Sequence, residues 1–137
     1  MLRLIATYLA TAIAFAAVDY IWLSQLGPKV YHPTLDAVLR PMNDPVDFPA
    51  AIAFYLMYIL GILALAIWPN RDKPLVSTTL TGALLGAMCY ATYDLTNQAT
   101  LKVWSTGITL ADVAWGTFLT AVGATVGGFV LRRMSRG

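Results

Sequence analysis

Glutamate is absent from this 137-residue chain: its seven acidic residues are all aspartates, and charged side chains of either sign make up only 12% of it. Ordinary soluble domains carry roughly 25% charged residues, so too little charge is present to cover a water-facing surface. The single cysteine, Cys89, excludes an internal disulfide. With a single histidine, His32, no Cys/His cluster of the kind that holds zinc or an iron–sulfur centre can form, and no metal is expected. A formal net charge of +2 is too small to draw nucleic acid by long-range attraction, so no nucleic-acid partner is expected either. What the chain has instead is apolar residues, 58% of the total, a balance that suits a lipid solvent.

The apolar residues fall in four stretches, about 4–26, 48–68, 75–96 and 109–131. Each is long enough, at about 1.5 Å per helical residue, to cross a hydrocarbon core of about 30 Å. The reading is an all-α, four-transmembrane-helix bundle forming one integral membrane domain over 1–137. Arg3, the apolar run after it and Ala14-Phe15-Ala16 imitate a cleaved signal peptide. The run continues through Ile21-Trp22-Leu23, past that imitation cleavage site, to a length that spans, which favours retention.

With four spans, the N-terminus, the turn at 69–74 and the C-terminus share one side. That side carries Arg3, Arg71, Lys73, Arg132, Arg133 and Arg136, and the other carries Lys29, Arg40 and Lys102. The positive-inside rule then puts both termini in the cytoplasm. Trp68 and Tyr8 fall near the inner interface, and Trp22, Tyr31, Trp104 and Trp115 near the outer one, as aromatic belts require. In the outer connection 27–47, Tyr31, Leu35, Val38, Leu39 and Met42 keep a helical spacing, with Pro33 available for a first turn and Pro41 as a stop. The spacing predicts a short interfacial helix, acting either as a cap on the bundle or as a lid over a pocket.

Three aspartates fall within or at the edge of the spans, all in the outer half: Asp19, Asp94 and Asp112. An ionised Asp at the centre of a span costs about 2.5–3.5 kcal/mol on insertion scales, so such groups face the protein interior and are paired, protonated or functional. Asp19 is deepest by position, shares a helix face with Phe15 and Trp22, and is the first candidate for a neutral carboxyl. Asp94 sits toward the C-terminal end of its helix, where the macrodipole disfavours an acid, and shares a side with Tyr90, Tyr93 and Asn97. Asp112 reads as the third helical residue of a capping box opened by Thr109, and also lies on a stripe with Gly116, Gly123 and Gly127. Tyr55 lies near the depth of Asp19 and Tyr90, so a phenol–carboxylate network is within geometric reach. Trp22 and Trp115 complete this candidate polar site. Each aspartate has a competing structural explanation: a protonated Asp19 bonded to a Tyr or Ser/Thr on another span, a hydrogen-bonded clamp between helices at Asp94, and the helix cap alone at Asp112.

Gly82 and Gly86 in the third span, and Gly123 and Gly127 in the fourth, each form a G-x-x-x-G element. With Gly116, they predict close helix packing, within the bundle or between copies of the chain in a homo-oligomer.

The segments D-Y-I-W-L at 19–23, F-Y-L-M-Y-I-L-G at 54–61, Y-A-T-Y-D-L-T-N-Q-A-T at 90–100 and D-V-A-W-G at 112–116 resemble a bacterial membrane-protein family catalogued as domain of unknown function 2177. The resemblance covers nearly the whole chain. It implies a small four-span protein of the bacterial cytoplasmic (inner) membrane, and it assigns no activity, cofactor or catalytic residue.

Three roles fit these residues. The first is a pocket in the outer half, lined by Asp and Tyr, for a small lipophilic molecule or lipid, with or without acid–base chemistry. The second is a structural or assembly protein whose polar groups fix helix register. The third is a proton-coupled transporter acting as an oligomer, although the two halves of the chain share no motif beyond apolar periodicity. No nucleophile–base pair, phosphate loop or metal cluster marks the chain as an enzyme.

Overall fold

The computed structural model describes residues 1–40 and 46–135, and they are almost wholly helical, with no strand among them. Four helical segments, Leu2–Leu35, Phe48–Asn70, Leu75–Thr100 and Thr106–Ser135, are long and apolar enough to cross a membrane. The chain is a multi-pass membrane protein. Helix α1 (Leu2–Ile21) runs through a π-helical turn at Trp22–Leu26 into α2 (Gly27–Leu35). Helix α3 (Phe48–Gly61) passes through a second π-helical turn, Ile62–Ile67, and ends in a 3-10 turn at Trp68–Asn70. Helices α4 (Leu75–Thr100) and α5 (Thr106–Ser135) are unbroken.

The helix ends have local causes. Asp47 accepts a hydrogen bond from the Ala50 N–H at 3.1 Å, and Pro49 in the first turn of α3 has no N–H to leave unpaired. The 3-10 turn brings Pro69 to the end of the second span, where Pro cannot continue the ladder it lacks a donor for. Helix α5 starts four residues earlier than the capping-box reading requires. Ser105 is the cap, its hydroxyl accepting from the Ile108 N–H at 3.3 Å and its carbonyl from the Thr109 N–H at 3.2 Å. Thr109 therefore lies inside the helix. Its hydroxyl donates to Gln98 at 2.7 Å and accepts from the Trp104 indole at 3.1 Å, and Asp112 lies in the second turn, free of any capping duty.

The helix expected in the outer connection is α2, but it starts at Gly27 and continues the first span. Pro28 takes the first-turn position where a missing N–H costs little, so Pro33 lies inside the helix. The expected stop at Pro41, the apolar Met42 and the base Arg136 lie outside the described residues.

Large apolar side chains such as Ile5, Ile13, Ile52, Leu56, Leu80, Leu84, Met88 and Phe118 point outward, as lipid permits. The interior is small: Phe15, Ile59, Ile62, Ala66, Ile67, Leu119, Ala124 and Leu131 form its apolar cluster. Helices α4 and α5 pack antiparallel along a seam that advances four residues at a time on each. Gly82 meets Ala124, Gly86 meets Thr120 and the Gly116 carbonyl, and Tyr90 lies over Gly116. A methyl group at Gly86 or Gly116 would collide with these neighbours, so glycine there sets the helix separation. The other two glycines meet the first and second spans. Gly127 abuts Thr11 and Ile67, whereas Gly123 stands at ordinary contact distance from Phe15, 3.5 Å from where a Cβ would be. The stripe from Asp112 through Gly116 to Gly123 and Gly127 thus meets different neighbours along its length, α4 at Gly116 and the first and second spans at Gly123 and Gly127.

At one end of the bundle the Arg3 guanidinium meets the Ser135 hydroxyl at 3.4 Å, and Arg132 holds the carbonyl of Lys73. Both described chain ends and the 71–74 turn therefore share one end, and the α1–α2 and α4–α5 junctions occupy the other.

Candidate functional site

The α4–α5 register dictates what lies beyond Tyr90 and Gly116. One step further toward the far end stand Asp94 and Asp112, two buried acids on facing helices. Asp94 is 0% exposed and neither carboxyl oxygen has a hydrogen-bond partner among the described residues. Its carboxyl faces that of Asp112 at side-chain hydrogen-bonding range. Two ionised carboxylates can each accept and neither can donate, so proximity satisfies them only where a proton is shared between the two. Asp112, 7% exposed, has one donor, the Tyr31 hydroxyl in a short hydrogen bond. Four acceptor oxygens thus share one protein donor, and neither acid has an ion-pair partner among the described residues.

Asp19 differs. It is 6% exposed, its Oδ2 accepts from the Tyr55 hydroxyl at 2.6 Å and its Oδ1 from the Trp115 indole N–H at 3.3 Å. Each oxygen has a donor, so the acid placed deepest by sequence is the one the fold satisfies. Phe15, one turn away, presses edge-on against Tyr55 with ring centroids 6.1 Å apart.

A pair of indoles joins the two acid clusters. Trp22 stacks on Trp115, and its own N–H donates to the Tyr31 hydroxyl at 3.1 Å, the hydroxyl that donates to Asp112. The π-helical turn after Ile21 makes this arrangement, since the wider turn changes the angular offset between Trp22 and Tyr31 along what would otherwise be one regular helix. Tyr90 stands between the clusters, within electrostatic range of Asp19, Asp112, Tyr31 and Tyr58, and its hydroxyl has no hydrogen bond among the described residues. The remaining candidates divide. Asn97 has no side-chain hydrogen bond among the described residues and lines a cleft beside Asp112, and Tyr93, largely exposed, lines the same cleft and packs edge-on against Trp104 at 5.7 Å.

That cleft, about 400 Å³, opens beside the acid pair. Leu23, Leu35, Val38, Leu39 and Leu101 form its apolar walls; Tyr31, Tyr93 and Trp104 add rings, and Asn97 and Asp112 are its polar groups. Asp94 lies behind Asp112, away from the opening. No group of three His, Cys or Asp side chains suited to a metal ion occurs among the described residues.

Tyr31 is the main residue that sequence reasoning left out of the polar site. It was legible as an interfacial aromatic and as part of the short helix expected to cap the bundle or cover a pocket, and it stands four residues after Gly27 and four before Leu35, both buried. A four-residue seam continuing that of Thr7, Thr11, Phe15 and Asp19 would have brought it inside. Tyr58, one turn after Tyr55, is also outside that set; its hydroxyl pairs with Thr120 at 2.9 Å.

A family model described as a predicted membrane protein, DUF2177, matches residues 4–129. No curated protein and no solved structure matches the chain.

Proposed function

The chain belongs to the DUF2177 family of membrane proteins, and we propose that it binds a small lipophilic molecule or lipid whose polar end carries a hydrogen-bond donor. The ligand's apolar body lies in the cleft of the outer half and its donor, an amine or a hydroxyl, reaches the Asp112–Asp94 pair. The observation that carries this reading is Asp94: a fully buried carboxyl with both oxygens unpartnered, directly behind an acid that lines an apolar cleft. Buried acceptors left without a donor cost about 1–3 kcal/mol each, and a fold retains such a deficit where something else supplies the donor. Walls of Leu and Val suit a ligand that enters from lipid, and Asn97 offers a second polar contact at the opening.

The structural reading fits Asp19, whose two donors make it a clamp between α1, α3 and α5. Proton-coupled transport is less well supported. The two clusters meet through stacked indoles, which donate through N–H and cannot pass a proton on.

Native mass spectrometry of the chain, extracted gently from its membrane, tests the proposal. A stoichiometric small molecule retained by the wild type and lost in Asp112→Ala is the expected result. A bare polypeptide mass under conditions that preserve the fold would contradict it.

A further inference from the structure

At the end of the bundle that holds the chain termini, a recess of about 320 Å³ is lined by Arg3, Arg71, Lys73 and Arg132, with Trp68 and Leu131 supplying apolar surface. The one acid lining it among the described residues is Asp72, and it is taken by Arg71 at 3.3 Å, while the Arg71 guanidinium also lies 4.6 Å over the Trp68 ring. Arg132 is committed to the fold. Its guanidinium donates to the carbonyls of Gly128, Asn70 and Lys73 and to the Thr78 hydroxyl, at 2.8 to 2.9 Å. Those partners are neutral, so its charge is fixed in place with no acid paired to it among the described residues. Among the described residues Arg3 has only the long contact to Ser135, and no hydrogen bond or ion pair holds the Lys73 ammonium.

The recess does not end at the bases. A second hollow, of about 260 Å³, shares Lys73 and Arg132 with it and is walled by Leu75, Phe129 and Arg133. Phe129 is half exposed on the outer face of α5, where lipid chains run. Positive charge held beside an apolar wall at a membrane-facing helix end matches a molecule with a phosphate at one end and an acyl chain beside it.

We propose that this recess binds the phosphate of an anionic membrane phospholipid, with Arg3 and Lys73 as the groups that contact it and Arg132 as the fixed charge beneath. The bases oppose the unfavourable C-terminal end of the α5 dipole, and the nearby start of α4 adds a favourable one. The site is remote from the acid pair and independent of the ligand proposed there.

The test is native mass spectrometry of the full chain with phosphatidylglycerol and phosphatidylcholine of identical acyl chains. Wild type should retain the anionic lipid over the zwitterionic one by roughly tenfold or more. Lys73→Gln should reduce that preference and Lys73→Gln with Arg3→Gln should abolish it, whereas Lys102→Gln at the far end should leave it unchanged. Lys73 holds nothing in the fold, so its variant remains informative even if the double variant unfolds. Equal retention of the two lipids, or a preference that survives Lys73→Gln undiminished, would overturn the proposal. Displacement of the lipid by millimolar inorganic phosphate would show that the free anion is what the recess takes, and would overturn it as well.

Discussion

Trp22 on the first span stacks against Trp115 on the fourth, with ring centroids 4.5 Å apart and planes 12° from parallel, and each indole N–H serves a different acid cluster. Trp115 donates to Asp19 directly, while Trp22 acts on Asp112 through Tyr31. Trp115→Phe keeps a ring in the stack and removes the donor. It should lower the unfolding free energy in detergent by about 1–3 kcal/mol, the cost of a buried acceptor that loses a partner. Trp115→Ala should cost about 3–5 kcal/mol because it also opens a cavity.

Asp94→Asn should act in the opposite sense. The amide brings a donor to the Asp112 carboxyl and removes one of two facing acids, so the ligand-free variant should be more stable than ligand-free wild type by roughly 1–3 kcal/mol. The same substitution should weaken ligand retention, since the site then supplies its own donor. Unfolding midpoints of delipidated wild type and variant, compared side by side, check the sign.

The glycines should not respond alike. A Cβ at Gly116 would collide with the Tyr90 ring, and one at Gly86 with the Gly116 carbonyl and Thr120, so Gly86→Ala and Gly116→Ala should each destabilise by about 1–3 kcal/mol. Gly123→Ala meets Phe15 and Thr11 at ordinary contact distance and should fall within about 0.5 kcal/mol of wild type. Gly127→Leu should fail worst, because Thr11 and Ile67 already occupy the space of its first carbon. Thermal unfolding of the four variants in one detergent ranks them.

The distribution of bases predicts a cytoplasmic location for the end that carries the termini. In a Cys89→Ala background, Asp36→Cys should react with an impermeant maleimide in intact cells, and Asp72→Cys should react only after lysis. The reverse pattern would invert the orientation.

The four spans were legible because length and hydropathy decide them, and both are local properties of the sequence. Their ends were less so. Thr109-Leu110-Ala111-Asp112 has the form of a capping box, but Ser105 offers an equally good cap one turn earlier, and the chain gains a longer helix by using it. Gly27-Pro28 reads as a break, and a π-helical turn carries the helix through it. The aspartates were legible as a group, since each is expensive in lipid. Which one lacks a partner was not, because that depends on the α4–α5 register, on the indole stack and on Tyr31. The register had a trace in the sequence: Thr78, Gly82, Gly86, Tyr90 and Asp94, and Asp112, Gly116, Thr120 and Ala124, small or polar residues, recur every four residues, and pairing them antiparallel sets acid against acid.

The central claim is that the unpartnered Asp94–Asp112 pair holds the polar end of a lipophilic ligand. An experimental structure determined from protein that has never been stripped of native lipid tests it most directly. Elongated non-protein density in the cleft between Leu35, Leu101 and Trp104, with a polar atom about 2.7–3.2 Å from an Asp112 or Asp94 oxygen, is the predicted result. A cleft filled by protein side chains, or a carboxyl pair satisfied by ordered water alone, would contradict it.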